Sequence, residues 1–151
     1  MATLFDTTRQ FSFYTVPAAW LIAFLPHPYA VSLSKKFDNL SPRTYVGSLQ
    51  KDRTDLIIRA EGAQTNGFEN LGLFAPAVVA GNLAGISAQT LNTLSGGYIV
   101  SRILYNYIYI NNTSQAAANL RSVVFVTGVG LIWTLFINSG NALRERAANL
   151  L

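Results

Sequence analysis

No Asp, Glu, Lys or Arg interrupts the chain between Arg9 and Lys35, from Asn70 to Ser101, from Ile103 to Leu120, or from Ser122 to Leu143. Crossing the hydrocarbon core of a bilayer takes about 20 mostly apolar residues in a helix. The first and last runs therefore each hold one span. The stretch from Asn66 to about Ile110 holds two, with a turn near Ser87 to Ser95. The expected spans are about 12–34, 66–86, 88–110 and 121–142. The reading is an all-α membrane protein, a four-helix transmembrane bundle forming one domain over residues 1–151.

A soluble bundle would need charged outer faces on these helices, and the sequence does not provide them. Only 12% of residues are charged and 50% are hydrophobic, against about a quarter charged in an ordinary soluble domain. The first run lacks the basic start and small-residue cleavage site of a signal peptide. It carries Pro17, Pro26 and Pro28, which are tolerable in a membrane helix where neighbours satisfy the freed carbonyls. They are expected to kink or end the first helix near His27, itself a turn residue on the far side. With no cysteine, disulfide and protein-thiolate chemistry are excluded. A lone His offers no metal site, and nothing has zinc-ligand spacing. The net charge of +4 sits in loops and is no footprint for nucleic acid.

The polar segment from Lys35 to Glu61 is the one substantial loop. Its end has helical composition, with Asp52 and Asp55 where a helix dipole favours acids, so the second long helix is expected to begin before Asn66. Lys35, Lys36, Arg43, Lys51, Arg53 and Arg59 lie in this segment, whereas the other side has Arg9, Arg144 and Arg146. The positive-inside rule then places the loop in the cytoplasm and both termini on the far side. The sequons at Asn39, Asn111 and Asn112 would face the cytoplasm. Gly81-x-x-x-Gly85, amid Ala75, Ala77, Ala80 and Ala84, is a small-residue pattern suited to close helix packing.

A few polar residues stand where the bilayer makes them costly. Asn66 and Glu69 share a helix face. Tyr98, Arg102, Tyr105 and Tyr109 form one stripe, and Arg121 and Ser122 sit where the last span begins. Ionisable residues within spans face the bundle interior and mark functional sites. Each also has a plainer reading. Glu69 and Arg102 suit a structural ion pair, the tyrosines an aromatic belt, Tyr98 belt or packing, and Arg121 a snorkelling interfacial cation. Together they suit a pocket for an anionic, peptide-like ligand. Arg102 and Arg121 would pair its carboxylates, Glu69 its ammonium and Asn66 an amide. Apolar faces beside it would admit a lipophilic second substrate.

The segment "RAEGAQTNGFENLGLFAPAVV" resembles the helix-two signature of the MAPEG proteins, the membrane-associated proteins in eicosanoid and glutathione metabolism. "RILYNYIY", "LRSVVF" and "KKFDNLSPR" resemble, in order, the same family's third helix, the start of its fourth and the end of its first. The resemblance implies a homotrimer binding glutathione, as cosubstrate, between subunits at the cytoplasmic side; with no transit signal, the endoplasmic reticulum is the default membrane for a eukaryotic source. It implies Asn66, Glu69, Arg102, Tyr105, Tyr109 and Lys36 as glutathione-binding residues, with Arg59, seven before Asn66 on roughly the same face, as the nearest basic residue to add to them. Arg121, Ser122 and Tyr109 become the catalytic set. The chain departs from the pattern at Gly62, where several members have Arg, and at Gly72, where they have Pro. A few extra residues also separate Tyr109 from Arg121.

The expected function is a glutathione-dependent transferase, peroxidase or isomerase acting on a lipophilic electrophile. Two alternatives keep the fold: a glutathione-independent isomerase or cyclase using Glu69 and the tyrosines as acid and base, and a non-catalytic lipid-binding scaffold.

Overall fold

A computed structural model describes residues 9–34, 40 and 51–150, the side chains of 51–53 excepted. The expected positions Lys35, Lys36 and Arg43 lie outside the described residues. The helices are α1 (Ser12–Phe24), α2 (Pro26–Ser34), α3 (Lys51–Leu83), α4 (Ala88–Asn111) and α5 (Gln115–Ala148). The expected early start of the second long helix is found: α3 begins at Lys51. The last helix starts earlier than expected, at Gln115, because Ser114 caps it by accepting a hydrogen bond from the Ala117 amide. The turn expected near Ser87 to Ser95 falls earlier, between Leu83 and Ala88.

Pro26 interrupts the first helix without ending it. Leu25, between α1 and α2, keeps helical backbone angles, and its N–H still bonds to the Leu21 carbonyl at 3.0 Å. Proline has no N–H to offer the carbonyl one turn back, here that of Ile22. Asn106 on α4 supplies the replacement, its Nδ2 donating to Ile22 O at 2.8 Å. His27 is thus helical rather than in a turn. It lies on α2 with Nδ1 2.8 Å from Glu61 Oε1 on α3.

Small residues set the helix spacing. A Cβ on Gly67 would stand 2.8 Å from that of Ala23, so α1 and α3 touch almost backbone to backbone. The core between α1, α3, α4 and α5 is Ala19, Phe74, Ala77, Val78, Leu91, Tyr98, Ile132 and Leu135. Tyr98 belongs to it as packing: its ring stacks on Phe74 at 3.9 Å. The two glycines of the small-residue motif do different things. Gly81 makes room for Leu91. Gly85, at φ +69°, turns the chain at the end of α3. Its N–H bonds to Asn82 O and that of Ile86 to Gly81 O, the paired bonds of a Schellman cap. Ser87 then caps α4 through the Thr90 amide.

The rods Ser12–Ser34 and Gln115–Ala148 are long and apolar enough to cross a membrane, and most of each faces outward. On α5, Val126, Trp133 and Ile137 are all more than half exposed. Hydroxyls on this outer wall are satisfied within the helix, Thr127 donating to Val123 O and Thr134 to Gly130 O. A wall with apolar side chains outside and its hydroxyls spent on its own backbone is built for lipid.

Candidate functional site

Three helices converge on an open cleft of about 250 Å³ lined by Asn66 from α3, Tyr105 from α4, and Arg121, Ser122, Phe125 and Val126 from α5. Four of the residues singled out in the sequence, Asn66, Tyr105, Arg121 and Ser122, therefore meet. Helical spacing places them: Arg121 and Phe125 are one turn apart on α5, and Tyr105 and Tyr109 one turn apart on α4. Tyr109 borders the cleft. Its ring meets Tyr105 edge-on at 5.5 Å, and the Arg121 guanidinium carbon stands 4.5 Å from its centroid.

Among the described residues, Arg121 is the cation of this cleft. It is half-buried and lies over the Tyr109 ring, and a guanidinium can pair an anion through its N–H groups. Ser122 is exposed and donates to the Ala118 carbonyl at 3.2 Å, a weak bond that a stronger acceptor could displace. Asn66 is steadied by Asn70, whose Nδ2 donates to the Asn66 backbone carbonyl at 2.8 Å and reaches its Oδ1 at 3.3 Å.

Arg102 is not in the cleft but behind its wall. It is 3% exposed and packs against Gly128, where a Cβ would come within 2.5 Å of its Nη2. Its guanidinium carbon lies 4.8 Å from the Tyr105 ring centroid and 5.6 Å from that of Phe125. Those two rings also line the cleft, so they separate the two arginines. Arg102 Nε, Nη1 and Nη2 have no hydrogen-bond partner. The structural ion pair with Glu69 is therefore not formed, and Glu69 is exposed. Arg59 spends its Nε on the Ile110 carbonyl at 2.9 Å, tying α3 to the last turn of α4.

Phe125, Gly128 and Asn70 went unread in the sequence as parts of this arrangement, and Gly62 was read only as a missing Arg, not as space for Tyr109. Phe125 carried a usable signal, one turn beyond Arg121 on the same face. The glycines did not, because a missing side chain matters only once its neighbour is placed. Gly62 is a case in point: a Cβ there would stand 2.8 Å from the Tyr109 hydroxyl. Among the described residues, no group of three or more His, Cys, Asp or Glu side chains could hold a metal ion.

A helical protein with lipid-facing walls and a basic, aromatic cleft between its helices has the build of a membrane protein. The MAPEG family model matches residues 12–141, and the chain belongs to the MAPEG family. Comparisons with curated proteins and with solved structures find no match.

Proposed function

We propose that the chain is a membrane-bound glutathione-dependent transferase, or a peroxidase or isomerase of that kind, acting on a lipophilic electrophile. The observation that carries this reading is the meeting of Arg121, Ser122, Asn66 and Tyr105 in one cleft, with Tyr109 stacked on Arg121. The donor set fits an anionic, peptide-like thiol, whose contribution when bound would be a sulfur nucleophile. Arg121 would favour the thiolate by its charge, in surroundings of low dielectric where such an interaction is strong. The Ser122 hydroxyl would leave Ala118 and donate to the sulfur, with Tyr109 as a second donor. Asn66 would hold an amide of the tripeptide. Glu69, Arg59, Tyr105 and Lys36 would meet its remaining polar groups, and Arg102 would act by its charge from behind the ring wall. Apolar surface beside the cleft, Val126 included, would seat the electrophile.

The same reading has four spans crossing the membrane, the segment from Lys35 to Glu61 cytoplasmic and both termini on the far side. The cleft opens on the outer wall, and three copies packed around a common axis would close it.

Glutathione binding to the purified protein tests the proposal, with Asn66→Ala, Glu69→Ala and Arg121→Ala alongside. A charge-assisted contact is worth about 1.5–3 kcal/mol, so Arg121→Ala should weaken binding roughly 10- to 100-fold. No binding at millimolar glutathione would overturn it. Turnover of a lipophilic substrate without glutathione would favour the isomerase or cyclase. Binding without conjugation of any electrophile would favour the scaffold.

A further inference from the structure

Tyr109 and Arg121 are stacked, and a third residue decides where the stack can sit. On α3, Gly62 lies against the hydroxyl end of the Tyr109 ring: a Cβ there would stand 2.8 Å from the hydroxyl oxygen and 3.2 Å from Cε1 and Cζ. No real side chain keeps such a distance, so either the ring or the helix must move. The ring is contacted on two sides. Tyr105 meets it edge-on at 5.5 Å, and Arg121 covers its face with the guanidinium carbon 4.5 Å from the centroid. Its backbone is held as well. Arg59, one turn before Gly62 on α3, donates through Nε to the carbonyl of Ile110, the residue after Tyr109, at 2.9 Å. The last turn of α4 is therefore clamped to α3 through its main chain, while its tyrosine ring occupies the space that Gly62 leaves.

From this geometry we infer that Gly62 is a positioning residue for the cleft. Its lack of a side chain seats the Tyr109 ring, and the ring in turn supports the Arg121 guanidinium beside Asn66 and Ser122. The effect of Gly62 passes through Tyr109 to the cation that lines the cleft. Glycine weakens a helix interior, and here what it provides in exchange is space for an aromatic ring. The catalytic consequence rests on the proposed thiol chemistry, but the seating itself does not.

The test has one arm without ligand and one with it. In the first, the Nε–Hε proton of Arg121 is followed by NMR in arginine-labelled protein and assigned with Arg121→Lys. With the guanidinium over the Tyr109 ring, this proton should be shielded, and Tyr109→Leu should remove the shielding. Gly62→Ala should remove most of it too. In the second arm, conjugation of glutathione to a lipophilic electrophile is measured for Gly62→Ala, for Tyr109→Leu and for the double variant. A displacement of about 1 Å can cost on the order of 100-fold in rate. Gly62→Ala should therefore lower kcat by about tenfold or more, with KM for glutathione changed far less. In the Tyr109→Leu background the same substitution should have no further effect, because no ring remains to displace. An unmoved Arg121 signal in Gly62→Ala overturns the inference. So does a kcat loss that persists undiminished in the Tyr109→Leu background. If native protein binds no glutathione while the Arg121 signal moves as expected, the seat stands and the proposed substrate fails.

Discussion

Pro26 removes the N–H that the Ile22 carbonyl would have used, and the Asn106 side chain supplies another. A carbonyl stranded in an apolar bundle costs about 1–3 kcal/mol, so Asn106→Leu, close in shape but without a donor, should lower the melting temperature. For a chain of this size each kcal/mol corresponds to roughly 2–4 °C. Unchanged melting in detergent would mean that the carbonyl is satisfied otherwise. Arg102 poses the opposite case, a buried guanidinium whose nitrogens are all unpartnered and which meets the π-faces of its neighbours. Replacing a poorly compensated buried charge by an apolar residue is often neutral or stabilising, by up to about 4 kcal/mol. Arg102→Met should therefore leave the melting temperature unchanged or raise it. A fall of several degrees would show that the surrounding rings compensate the charge in full.

At the scale of the helices, glycine and serine punctuate the chain more than propensity does. Gly85 holds a left-handed conformation at the end of α3, which costs a residue bearing a Cβ about 1–2 kcal/mol. Gly85→Ala should destabilise by that amount in a thermal melt, and Gly85→Asn by less, since Asn tolerates the conformation better. Equal effects of the two would contradict the assignment of Gly85 as a cap. These positions also show what the sequence could convey. The charge-free runs located the two apolar rods Ser12–Ser34 and Gln115–Ala148, because lipid permits few charges along a span. The helix ends were legible only in part. Ser114 caps α5 several residues before the charge-free run that begins at Ser122, at a place the run alone does not mark.

At the scale of the whole molecule, the candidate site was legible as a set of residue types and less so as a geometry. Asn66, Tyr105, Arg121 and Ser122 do line one cleft, since helical periodicity fixes which side chains share a face. Periodicity does not say how deep a side chain sits. Arg102 lies on the same stripe as Tyr105, yet Gly128 on another helix leaves room for it behind the wall. Arg59 likewise meets the Ile110 carbonyl, a contact that depends on where α4 ends. Four crossings would put Ser114 and Ser87 on opposite sides of the membrane. The chain contains no cysteine, so single cysteines can be introduced at these two positions and labelled in sealed vesicles with a membrane-impermeant maleimide. The two should label from opposite sides, and labelling from the same side would contradict the proposed topology.

The central proposal is that Arg121 holds glutathione as its thiolate, and ultraviolet difference spectroscopy of the purified protein tests this most directly. A free thiol has a pKa near about 8.5 and is largely protonated at neutral pH, whereas an adjacent cation shifts it toward the thiolate. Native protein mixed with glutathione at neutral pH should show thiolate absorbance, and Arg121→Ala protein with glutathione bound should lose it. Bound glutathione with no thiolate signal in the native protein, or an equal signal in both, would contradict the claim.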